Sequence, residues 1–162
     1  MQPKRRGELP VDQSFDAAEK LYRRVPRECL SPLGEVVPSQ IRCSFGETIE
    51  KSPSVVRSKY STPSDVLHPD CAYDKDVSDN LVFFLAIEEL PIRVESGDKE
   101  VYDFYPFHDP ECSCYAHTLI ACKKSDRLIG EFDEPTSKVR NKLKALFVWA
   151  FQNHRIAVNP EA

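Results

Sequence analysis

The chain has 162 residues, 41% of them hydrophobic and 30% charged, with a formal net charge of −4. That length suits one domain able to bury roughly 70% of the surface its unfolded form exposes, and the composition excludes both a disordered tail and a membrane-embedded chain. The small net charge excludes a uniformly basic coat for nucleic acid, although bases outnumber acids over Met1–Leu30 and again over Lys123–Arg155, on either side of an acidic middle.

The opening MQPKRRGELP has the positive charges of a signal peptide without the apolar core that must follow them. The longest apolar run, Leu81 to Ile87, is seven residues long, against about twenty for a membrane-spanning helix. A soluble, cytoplasmic protein with no membrane partner is expected. In a reducing compartment the six cysteines are expected as free thiols, metal ligands or catalytic groups rather than as disulfides.

Residues 1–13 are polar and carry two prolines and a glycine, and read as a loose N-terminal arm ahead of a single domain over 14–162. KLYRRV (Lys20–Val25) alternates as a strand, with Leu21, Arg23 and Val25 on one face, and Pro26 ends it. Further short strands are predicted at Gln40–Phe45 and Ser54–Arg57. Thr62-Pro63-Ser64-Asp65 opens a short helix with a capping residue, a proline at its first position and a carboxylate at its third, and His68-Pro69 closes it.

Asp70–Asn80 is an acidic loop, and Leu81–Ile87 reads as a central strand buried on both faces. Pro91–Glu95 and Glu100–Phe107 flank the turn Ser96-Gly97-Asp98-Lys99 as a hairpin, and Tyr115–Cys122 reads as a further strand. From Thr136 to His154, Val139, Leu143, Leu146, Phe147, Ala150 and Phe151 recur at steps of three and four, the stripe of an amphipathic helix. The fold class is α+β: a mostly antiparallel sheet of four to six strands packed by a long C-terminal helix.

Tyr102–Cys122 concentrates the chemistry. His108, Cys112, Cys114, His117 and Cys122 fall within fifteen residues, and His68 with Cys71 adds a second pair. Zinc takes four such ligands, usually as two short-spaced pairs. However, C-x-C does not form the knuckle that C-x2-C makes, so no tightly bound zinc is expected and no cofactor is assigned. Cys43 and Cys122 read as small core residues.

A second set is basic. Arg23, Arg24 and Arg57 are candidate substrate-binding residues, because a guanidinium fork grips phosphate or carboxylate. His117, His108 and Tyr60 are the candidate catalytic residues, with histidine moving a proton near neutral pH. Arg23 on an apolar strand face must pair with a carboxylate or line a cavity, since an unpaired buried charge is costly. On the helix, Lys138, Lys142 and Trp149 form a line that either grips a nucleic acid or is a solvated face. Phosphate-loop, dinucleotide and metalloprotease motifs are absent.

The order KLYRRV, Ser44-Phe45, SVVR (Ser54–Arg57) and YAHTLI (Tyr115–Ile120), followed by a basic C-terminal helix, resembles a family of small uncharacterised bacterial proteins with LYRR, S-V and AHT motifs in this sequence. The resemblance spans most of the chain and implies no known reaction. The chain departs from it at Leu119, where an acidic residue often follows the AHT. An arginine on the first strand, a middle Ser/Tyr element and a later polar residue also share the layout of ADP-ribosyl-transferring folds, with Glu131 as the candidate acid.

These readings lead to an intracellular enzyme acting on a phosphorylated substrate, a nucleotide or nucleic acid. The alternatives are a non-catalytic module binding a protein partner and a small zinc-stabilised adaptor.

Overall fold

In the computed structural model, which describes residues 9–97 and 99–158, KLYRRV forms strand β1 (Lys20–Val25). Its neighbours are β2 (Ser54–Arg57) and β3 (Leu81–Ala86). β4 (Val94–Glu95) and β5 (Val101–His108) make the expected hairpin, pairing Val94 with Tyr102, while Asp98 of its turn lies outside the described residues. β6 (His117–Lys124) and β7 (Arg155–Ile156) complete an antiparallel sheet of order β4-β5-β6-β2-β1-β3-β7. The class is α+β, with seven strands rather than four to six, because β4 and β7 are two-residue edge strands that carry almost no sequence periodicity.

Helix α1 (Ser137–Asn153) starts at Thr136, whose Oγ1 accepts from the Val139 N–H (3.4 Å). Its stripe of Val139, Leu143, Phe147, Ala150 and Phe151 is fully buried against Leu21, Phe83, Leu85, Phe104 and Ile120. The Phe83 ring meets Phe147 (6.1 Å) and Phe151 (5.8 Å) edge-on. The opposite face of the sheet carries Tyr22, Val56 and Val82, covered by two 3-10 turns at Pro63–Leu67 and Pro69–Ala72 through Val66, Leu67 and Ala72. The first turn sits at the predicted helix, with the Asp65 carboxylate accepting from the Thr62 N–H (2.7 Å), and extended His68 ends it.

Three expectations need correction. Gln40–Phe45 forms no strand. Pro38–Gln40 is a 3-10 turn, and Ile41 and Cys43 bury themselves from extended backbone with no ladder partner. β3 is next to the edge, not central, and its Phe84 is half-buried beneath the His154 ring (4.4 Å). The strand enclosed on both faces is β6, buried at every residue from His117 to Lys123. Finally, Cys71 and Cys114 are joined as a disulfide, which ties the loop after β5 to the second 3-10 turn. Their sequence separation of 43 hides a pairing that only the fold brings together.

Of the arm, residues 1–8 lie outside the described residues. Pro10–Gln13 are docked rather than loose: the Pro10 carbonyl accepts from Tyr115 (2.8 Å), and Gln13 exchanges two hydrogen bonds with the His108 backbone (2.9 and 3.1 Å). Among the described residues no helix is long and apolar enough to cross a membrane.

Candidate active site

β1 pairs with β3 along its whole length but with β2 only at Leu21↔Arg57 and Tyr22↔Val56. Beyond Tyr22 the two strands part, and the Arg23 guanidinium enters the opening. Nη1 donates to the Ser54 carbonyl (2.8 Å) and Nη2 to the Arg42 carbonyl (3.0 Å), while the buried Nε has no partner. Burial lowers the Arg23 pKa to about 10, so the group remains a cation at neutral pH. Arg24, on the next position and the other face, donates to the Cys71 carbonyl (3.2 Å), and burial lowers its pKa as well. Neither arginine meets a carboxylate among the described residues. Arg23 also lies over the Phe147 ring (5.0 Å), and two adjacent guanidiniums compensated by carbonyl dipoles and a ring face leave positive potential for an anion.

Both arginines line a cavity of about 280 Å³, together with Tyr22, Ser54, Tyr73 and His117. The β2–β6 register explains why His117 is there: it stands opposite Val56, so its ring shares a face with Val56, Tyr22 and Ser54. His117 Nδ1 lies 2.8 Å from the Asp109 carbonyl, 3.3 Å from Asp109 Oδ2 and 3.2 Å from Glu111 Oε1. Nε2 lies 3.1 Å from the Ser54 hydroxyl. Donation from Nδ1–H to the Asp109 carbonyl leaves Nε2 as the acceptor, on the side of the Ser54 hydroxyl. Glu111 is held in turn by the Tyr73 hydroxyl (2.8 Å), from a residue whose backbone is left-handed (φ 53°), an uncommon conformation for a bulky side chain.

The remaining candidates are elsewhere. β5 pairs His108 with Thr118, one position on from His117, so the two histidines point to opposite faces of the sheet. His108 therefore does not assist His117. Its Nδ1 accepts from the Asp12 N–H (2.9 Å), its Nε2 donates to the Tyr115 carbonyl (2.8 Å), and burial lowers its pKa, keeping it neutral.

Arg57 is on that same side and completely buried. It forks onto Glu19 (2.8 and 2.9 Å), donates to the Ser14 and Asp12 carbonyls, and lies over the Phe15 ring (3.8 Å). Fully enclosed, it is out of reach of a substrate. Tyr60 donates to Asp12 Oδ2 beside Lys59 (2.7 Å) and stacks on His108 (5.8 Å). Arg57, Tyr60 and His108 thus form a structural clasp around Asp12–Phe15.

The cysteine and histidine cluster is also dispersed. Cys71 and Cys114 share the disulfide, Cys112 is exposed, and Cys43 and Cys122 are core residues whose pKa values burial raises to about 11 and about 12. Thiols so raised are poor nucleophiles. Among the described residues no group of three or more His, Cys, Asp or Glu is placed to hold a metal ion. Glu131 pairs with Arg127 (3.8 Å) at a different surface from His117.

Ser54, Asp109, Glu111 and Tyr73 were not singled out from the sequence as site residues. Asp109 and Glu111 lie eight and six residues before His117 in the loop between β5 and β6, and Tyr73 comes from the acidic loop. The residue spacing of D-P-E ahead of a histidine was their only signal. The chain matches no family model, no curated protein and no solved structure.

Proposed function

We propose that the cavity binds a phosphorylated small molecule and that the protein is an enzyme acting on it. Arg23 and Arg24 hold the anion, and His117 takes up and returns a proton at Nε2. The observation that carries this reading is the pair of guanidiniums without a carboxylate partner among the described residues, beside a histidine whose opposite nitrogen is flanked by two. Cations in a structural role sit on acids, as Arg57 does on Glu19. Cations kept on carbonyls beside a cavity retain their charge for a ligand. A volume of about 280 Å³ suits a phosphate ester up to the size of a mononucleotide rather than a nucleic acid strand, and the Tyr22 and Tyr73 rings offer faces for a base. The Cys71–Cys114 disulfide runs against the cytoplasmic location expected from the sequence, because reducing compartments keep thiols free.

Titration calorimetry with inorganic phosphate and with a nucleoside monophosphate tests it. Binding should weaken with added salt, and Arg24→Ala should weaken it at least about tenfold, as loss of one charge-assisted contact implies. Arg23→Lys should restore little, because an ammonium does not span both carbonyls and a phosphate. Absence of binding by either ligand, or binding that survives Arg23→Ala with Arg24→Ala, would overturn the proposal in favour of a protein-binding module.

A further inference from the structure

Ser54 combines features that a merely structural serine has no need of. It opens β2 and is exposed to the cavity, its hydroxyl lies 3.1 Å from His117 Nε2, and its carbonyl carries Arg23 Nη1 at 2.8 Å. With its Nδ1–H committed to the Asp109 carbonyl, neutral His117 accepts at Nε2 from the hydroxyl. Behind the ring, Asp109 Oδ2 and Glu111 Oε1 lie at 3.3 and 3.2 Å with side chains only 17% and 15% exposed, placed to stabilise an imidazolium. Nucleophile, base and orienting acid therefore follow one another within hydrogen-bonding or ion-pair reach, the arrangement by which an enzyme activates a weak hydroxyl. The disulfide at Cys114 fixes the loop that supplies the acids.

We infer that Ser54 is the nucleophile of this cavity and that the reaction passes through a covalent phosphoryl-serine. In the first step a bond forms between Ser54 Oγ and phosphorus while the bond from phosphorus to the leaving alcohol breaks. The Ser54 proton passes to His117 Nε2 and from there to the departing oxygen. In the second step water attacks phosphorus, His117 takes the water's proton, the Oγ–phosphorus bond breaks, and the proton returns to Ser54, releasing phosphate. Arg23 and Arg24 stabilise the charge on the non-bridging oxygens. This inference rests on the anion-binding reading for its substrate class, but the nucleophile is testable separately.

The probe is diisopropyl fluorophosphate, whose phosphorus takes a serine oxygen with loss of fluoride, read by peptide mass spectrometry on the full chain. A single adduct on the Ser54 peptide is expected. It should be absent in Ser54→Ala and form about a hundredfold more slowly in His117→Gln, the contribution of a positioned base, with both variants keeping the wild-type circular dichroism. No adduct in a wild-type protein that binds phosphate by calorimetry would overturn the nucleophile and leave the anion site standing. Labelling as fast in His117→Gln as in wild type would also overturn it. An adduct in a protein that binds no phosphate would uphold Ser54 and remove the phosphorylated substrate instead.

Discussion

Arg57 and Arg24 sit on neighbouring strands of one sheet, yet they have opposite surroundings. Arg57 is buried in a clasp where Glu19 and the carbonyls of Asp12 and Ser14 take up its donors. Arg24, with Arg23 beside it, has carbonyl partners but no carboxylate among the described residues, and both line a cavity that His117 also lines. The difference shows what separates a structural arginine from one free to bind. Arg57 is fully buried and Arg24 half-buried, and the decisive variable is whether an acid has been folded against the guanidinium.

The comparison is broken most forcefully at Arg57. Arg57→Ala leaves Glu19 buried without its partner and should cost about 3 to 5 kcal/mol, measured by urea denaturation, while phosphate affinity of the folded fraction stays at the wild-type value. If Arg57→Ala abolished phosphate binding without lowering stability, the two regions would have to exchange roles.

A somewhat smaller effect is expected from the link between the cavity wall and the loop bearing Asp109 and Glu111. Cys71→Ser with Cys114→Ser opens a bond of sequence separation 43 and should lower stability by about 2 to 5 kcal/mol. Reductant should do the same to the wild-type chain and should leave the double variant unchanged.

Acid should weaken the clasp around Asp12–Phe15. Burial holds the His108 pKa below that of the unfolded chain, so unfolding takes up a proton between the two values. The stability this neutral histidine supports is present above its ordinary value near 6.5 and is lost as pH falls below it. Asp12 adds to the loss at lower pH. Its hydrogen bonds from Lys59 and Tyr60 hold the carboxyl well below its ordinary value, so its contribution is present above about pH 4 and disappears as it protonates. A His108→Gln variant should show a flatter melting temperature between pH 7 and pH 5 than wild type. An identical slope in the variant would remove His108 from the clasp.

The smallest effect is predicted on the helix. Trp149 is 43% exposed, with its ring edge against His154 (4.8 Å), and Lys138 and Lys142 are exposed on the same helix. Trp149→Ala should change stability by less than about 1 kcal/mol and leave phosphate binding intact. A larger loss of binding would extend the ligand site across to the helix.

Local periodicity determined the elements. The alternation in KLYRRV, the apolar stripe from Val139 to Phe151, the hairpin around Ser96 and the capping signals at Thr62 and Thr136 each appear where the residues called for them, because each depends on neighbours a few positions away. The burial of Phe83, Leu85 and Phe147 followed from the same patterns. Side-chain partnership did not. Arg23, Arg57, His108 and His117 are one residue class in the sequence, and the β5–β6 register alone put the two histidines on opposite faces. The order of the strands, with β2 rather than β3 at the centre, is set by pairings between distant segments that leave no local trace. The same holds for Cys71 with Cys114, for Glu19 with Arg57, and for the meeting of Ser54, His117 and Glu111. A strand's alternation says which side chains share a face, but only the tertiary structure decides which acid, base or cation stands opposite them.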